Sequence, residues 1–118
     1  MKLKLSNAIL DDLPPIEVDA TADASLCLLR IPKSIARELR VGEPLRHDAV
    51  TFADGTRCLA PYVGPIAIRF KDRIALTGAL VCGDAVILGS IGMDDMGLAV
   101  IPGTSEADVD PAPRPIYL

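Results

Sequence analysis

The side chains best suited to chemistry in this sequence are carboxylates. The run Ile16-Glu17-Val18-Asp19-Ala20-Thr21-Ala22-Asp23-Ala24-Ser25-Leu26 sets acidic residues into a stretch that alternates like a strand and then gives way to small side chains. Carboxylates accept and return protons, so acid–base hydrolysis is the chemistry such a segment would support. Burying an unpaired charge is costly, which leaves Asp23 two settings: a turn facing water, or a paired position at an interface. Composition alone favours the solvated turn. Rival groups carry less. Ser25 and Ser34 have no histidine near them in sequence to activate a hydroxyl, and no nucleophile-elbow pattern is present. Cys27, Cys58 and Cys82 with the single His47 show no metal-ligand spacing. The cysteines read as small buried hydrophobes in a reducing compartment, and neither a metal nor an organic cofactor is expected. Asp84 after Gly83 reads as a turn residue, and His47 as an exposed loop imidazole.

The elements that must position these groups are mostly short strands. Alternating or apolar runs bounded by Gly, Pro and polar residues fall at 3–5, 16–22, 49–52, 58–63, 66–70, 74–81, 86–88 and 98–101. Asp54-Gly55 between two of them suits a type I′ hairpin turn, and a second reversal is expected at Lys71-Asp72-Arg73. One helix is expected with Pro32 in its first turn, Ile35, Ala36 and Leu39 on one face, and Gly42 as its stop. A shorter helix is expected at 91–96. Residues 104–118 are rich in Pro and polar side chains and end in Ile116-Tyr117-Leu118, a solvated arm or a strand paired with another subunit.

Length and composition bound what this framework can be. The 118 residues suffice for one domain, with an N-terminal strand or arm over 1–15 and a C-terminal arm over 104–118, and are too few for two lobes. Half the residues are apolar but only 3% are aromatic, so the core must be built from aliphatic side chains. A net charge of −4 with no basic stretch argues against nucleic acid as a partner. The longest nearly uncharged stretch, 74–83, is about half of the ~20 residues a membrane span needs, so no membrane partner is expected. No apolar run follows Met1-Lys2-Leu3-Lys4, no leader is expected, and a cytoplasmic location follows.

Asp23 stands nine residues before the Pro32 that opens the helix; the Asp54-Gly55 hairpin follows, then Ile87-Leu88-Gly89 ahead of the second short helix. This order and spacing resembles the retropepsin-like aspartic proteases. The blocks Ala53-Asp54-Gly55-Thr56-Arg57, Pro61-Tyr62-Val63-Gly64-Pro65, Arg69-Phe70-Lys71-Asp72-Arg73, Gly78-Ala79-Leu80-Val81-Cys82-Gly83-Asp84 and Met93-Asp94-Asp95-Met96 resemble small bacterial members of that clan. The likeness spans roughly residues 16–110. It implies an all-β fold, a closed β-barrel with one or two short helices, and one catalytic aspartate per chain, Asp23. It also implies a homodimer closing one active site on a two-fold axis. Two carboxylates about 3 Å apart cannot both ionise, so one would activate a water while the other donates to the scissile carbonyl of a peptide or protein substrate. Ala24 and Ser25 beside the aspartate, and Asp54 and Gly55 at the tip of a flap, are the implied substrate contacts. Ile87-Leu88-Gly89 would be structural, and Asp94-Asp95 would cap a helix start.

The family signature at the catalytic loop is Asp-Thr-Gly or Asp-Ser-Gly, whereas this chain has Asp23-Ala24-Ser25. Ala24 lacks the hydroxyl that braces the two loops across the dimer. Ser25 brings a Cβ where the family has the freedom of glycine. A displacement of about 1 Å can cost about a hundredfold in rate. Two readings stand: an aspartic endopeptidase slowed by its altered loop, or a catalytically inactive homodimer of the same fold that binds a peptide or protein. A second frame, Asp19-Ala20-Thr21-Ala22, begins thirteen residues before Pro32 and is the lesser candidate; otherwise Asp19 is a solvent-facing strand carboxylate.

Overall fold

A computed structural model describes residues 1–112 and 117. The chain runs β1 (Lys2–Asn7), β2 (Ile16–Ala22), β3 (Leu29–Ile31), α1 (Lys33–Leu39), β4 (Arg46–Thr51), β5 (Arg57–Phe70), β6 (Arg73–Val81), β7 (Val86–Leu88), α2 (Ser90–Met96), β8 (Leu98–Val100) and β9 (Ala107–Val109). Strands pair in the order β1-β2-β7-β3-β6-β5, and β5 pairs back to β1, so six strands close into a barrel. β4 hangs on the outer half of β5, while β8 and β9 form a separate two-stranded ribbon. The fold is therefore all-β with two short helices, as the sequence led us to expect.

Alternation builds the barrel. Leu3 and Leu5 of β1, and Val18, Ala20 and Ala22 of β2, point inward while their neighbours face water. Leu3, Leu5, Ile31, Leu39, Ile66, Ile68, Leu88 and Met96 are the largest fully buried side chains, an aliphatic core as the composition requires. Asn7 is the one buried polar residue among those described, and both ends of its amide are used. Its Nδ2 donates to the carbonyls of Leu39 (2.9 Å) and Arg40 (3.1 Å), and its Oδ1 accepts from the N–H groups of Ile9 and Leu10. The otherwise orphaned C-terminal carbonyls of α1 are thereby satisfied from β1.

Several elements differ from expectation. Residues 58–63 and 66–70 belong to one strand, because the Gly64-Pro65 break is absorbed as a shift in register between Val63 and Ile66. A Cβ on Gly64 would lie 3.0 Å from the Gly78 Cα, so the two strands approach closely there. Pro32 is the N-cap of α1, not part of its first turn, and the helix ends at Arg40 in a left-handed conformation, before Gly42. The Asp54-Gly55 turn is not type I′: Gly55 alone has positive φ, and Asp54 instead accepts the Thr56 N–H on its carboxylate at 2.9 Å. β3 and β9 were not foreseen. Of the final apolar triplet, Tyr117 is exposed and the other two residues lie outside the described ones.

Candidate functional site

The 23–28 loop leaves β2 and is seated on the segment joining β7 to α2. The Asp23 N–H donates to the Leu88 carbonyl at 3.0 Å, which fixes the loop at its start. Farther along, the carbonyls of Leu26 and Cys27 accept the N–H groups of Ser90 (2.7 Å) and Ile91 (3.1 Å). These bonds satisfy the first donors of α2, which has no side-chain cap. Such close seating requires Gly89: a Cβ there would come within 2.6 Å of the Cys27 carbonyl oxygen and 2.7 Å of that of Leu28. The Leu88-Gly89 pattern is thus a backbone-to-backbone joint beneath the Asp23 loop. α2 starts at Ser90, so Asp94 and Asp95 sit late in the helix and do not cap its start; the loop carbonyls occupy the donors they were expected to cap.

Asp23 is half-buried, and its Oδ1 accepts two hydrogen bonds from Ser25, the hydroxyl at 2.6 Å and the backbone N–H at 3.0 Å. The Ser25 hydroxyl, then its N–H, hold the Asp23 carboxyl below the usual carboxylate range; partial burial opposes this, and the Arg30 cation adds a smaller pull in the same direction.

A cavity of about 510 Å³ opens beside this carboxylate. Asp23, Ser25, Leu26, Cys27 and Leu28 form one wall, and Val50, Thr51, Phe52 and Ala53, where β4 runs into its turn, form the opposite one. The floor is a cross-strand row of Arg30, Leu80 and Ile87, which are register partners on β3, β6 and β7. The structure therefore brings Asp23 and Ser25 together with the shoulder of a projecting hairpin. It leaves Ala24 exposed and outside the cavity wall, with Asp54 and Gly55 exposed at the hairpin tip. Asp19 lies elsewhere, on the outer face of β2, with its carboxylate 2.8 Å from Lys2 Nζ.

Arg30 is the residue that sequence reasoning missed. It reads there as the residue before Ile31-Pro32, yet it is a cation among Leu28, Leu29 and Ile31, and in a strand with Leu29 and Ile31 buried it must face the other way. The cysteines were also misjudged: all three are unpaired, but Cys27 and Cys58 are exposed and only Cys82 is half-buried. Among the described residues no three His, Cys, Asp or Glu side chains are grouped to hold a metal ion. No helix among them is long and apolar enough to cross a membrane.

No family model matches the sequence, and no curated protein does. The expected likeness to small bacterial members is therefore without support at the level of sequence. Solved structures do match. The EIAV protease complexed with the inhibitor HBY-793 superposes with a TM-score of 0.62 at 17% identity, over 86% of this chain and 89% of that one. A foamy viral protease-reverse transcriptase in complex with an RNA/DNA hybrid gives a TM-score of 0.52 at 13% identity, over all of this chain but only 13% of that one. At such identities the likeness shows the fold alone: a retropepsin-like barrel, shared with retroviral proteases.

Proposed function

We propose that this chain supplies half of an aspartic endopeptidase site, completed when two copies bring their Asp23 carboxylates together on a two-fold axis. The observation that carries the reading is the position of Asp23 in the wall of a cavity roofed by residues 50–53 on a retropepsin-like barrel. In the dimer the paired carboxylates hold one proton between them. One takes a proton from a water as it attacks the scissile carbonyl, and the other donates to the carbonyl oxygen. The hairpin carrying Asp54 and Gly55 would close over an extended peptide and exclude water, with Ala24 and Ser25 beside the reacting bond. No metal and no organic cofactor takes part in this scheme. Three unpaired cysteines fit a reducing, cytoplasmic setting.

The chain should cleave unstructured peptides at acidic to neutral pH, be blocked by a statine-type transition-state mimic, and lose cleavage in Asp23→Asn. Cleavage persisting unchanged in Asp23→Asn would exclude this site. A second reading, an inactive homodimer that binds a peptide or protein in the same cleft, is favoured by one observation. The Ser25 hydroxyl lowers the Asp23 pKa and so works against the shared proton, while Ala24 has no hydroxyl with which to brace a partner loop. In that case peptide binding survives without hydrolysis.

A further inference from the structure

We infer that Arg30 is a specificity-determining residue that selects peptides with an acidic side chain next to the cleaved bond; this rests on the proposed peptide-binding cleft. The side chain stands in the middle of the cavity floor, between Leu80 and Ile87. Leu29 and Ile31 on either side are buried in the core, so strand alternation commits Arg30 to the cavity face.

Its guanidinium has no salt bridge among the described residues, and its Nε is buried with no hydrogen-bond partner. The other acid in the cavity is Asp23, whose Oδ1 is already engaged by Ser25. The guanidinium carbon of Arg30 lies 5.7 Å from the centre of the Phe52 ring, and a Cβ on Gly83 would come within 3.5 Å of its Nε. A buried donor without a partner is a standing cost that a ligand acceptor can remove. The planar fork of an arginine matches a carboxylate with two parallel hydrogen bonds. The cavity is otherwise lined largely by apolar side chains, which suits the aliphatic stem of Glu. A cation in the cleft without a salt bridge, in a chain of net charge −4, leaves a place for a ligand's negative charge.

The experiment uses C-terminally amidated octapeptides that differ only by Glu, Gln or Lys at each position within three residues of the cleaved bond. Amidation removes the terminal carboxylate as a rival ligand. The preference is read as a ratio within each protein, so a general loss of activity cancels. For the wild-type chain the Glu peptide should exceed its Gln twin in kcat/KM by about tenfold at one position at least. The ratio should fall to about one in Arg30→Met, and Arg30→Glu should prefer Lys peptides instead. Binding of fluorescein-labelled versions to Asp23→Asn, followed by polarisation, separates selection from chemistry. Glu-selective binding that Arg30→Met abolishes supports the inference even where the wild-type chain cleaves nothing, in which case hydrolysis alone falls. Equal or absent binding of the two peptides, or a preference that survives in both Arg30 variants, overturns it.

Discussion

Asp23 meets both donors of one neighbour, and this has a consequence for its proton. A hydroxyl at 2.6 Å and an N–H at 3.0 Å stabilise the ionised carboxylate, which lowers its affinity for the single proton that a dyad must hold. Ser25→Gly removes the stronger donor, so the Asp23 pKa should rise, and any acid limb in kcat/KM that reports its ionisation should move to higher pH. Titration of the Asp23 side-chain carbon by NMR checks the direction; an unmoved midpoint would show that the hydroxyl is not the governing contact. The sign for stability is equally defined. Because the folded-state pKa is depressed, Asp23 contributes stability above the ordinary carboxylate range, and that contribution is lost as pH falls through the folded value. Ala24→Thr together with Ser25→Gly writes the Asp-Thr-Gly pattern of the retropepsin-like proteases into this loop and should raise kcat/KM by up to about a hundredfold if loop placement is what limits turnover. The position of Asp23, in the turn just past β2, was legible in the sequence, since the alternating run before it and the small residues after it are local facts. Arg30 was not, because its meaning depends on partners in β6 and β7 that lie 50 and 57 residues farther along the chain.

Two joints lock elements together, and the second of them seats that loop. Asn7 ties the end of α1 to β1 through two hydrogen bonds from its Nδ2, while its Oδ1 accepts two more from the turn that follows β1. Asn7→Ala leaves the buried Leu39 carbonyl without this partner and removes three part-buried bonds, and should destabilise the chain by about 1–3 kcal/mol, read as a lower urea midpoint with unchanged slope. Gly89→Ala drives a methyl to within 2.6 Å of the Cys27 carbonyl. The backbone on both sides is fixed, so strain of about 1–3 kcal/mol is expected, along with loss of any activity or binding that depends on Asp23. Wild-type stability in Gly89→Ala would mean that the joint can open without cost. Legibility at this scale followed the turn residues that bound a run. β2 and β7 match their expected spans residue for residue, and β6 differs by one, because runs bounded by turn residues announce themselves. β3 is three residues wedged between a loop and a helix, too short to show a period, and β9 lies in a polar stretch where pairing with β8 overrides composition. β5 was split in two because Gly64-Pro65 reads as a break, although a bulge can carry a strand through one.

At the scale of the whole molecule, the barrel closes on itself but the cleft does not. Six strands leave no open edge in the ring, and each chain of 118 residues carries one Asp23 loop and one projecting hairpin. An isologous dimer repeats both across its axis, so each aspartate would meet the same residue of the other copy. Activity should therefore depend on concentration, with the rate falling faster than linearly on dilution below the dimer dissociation constant. A mixing experiment is sharper. Wild-type chain and Asp23→Asn, combined in equal amounts and allowed to exchange, give about one quarter wild-type dimers and one half mixed dimers if the two associate equally. If both carboxylates are needed, activity falls to about a quarter of that of the same total amount of wild-type chain. If one chain suffices, activity falls only to about half, and Asp23 would then be acting within a single protomer, without a partner's carboxylate.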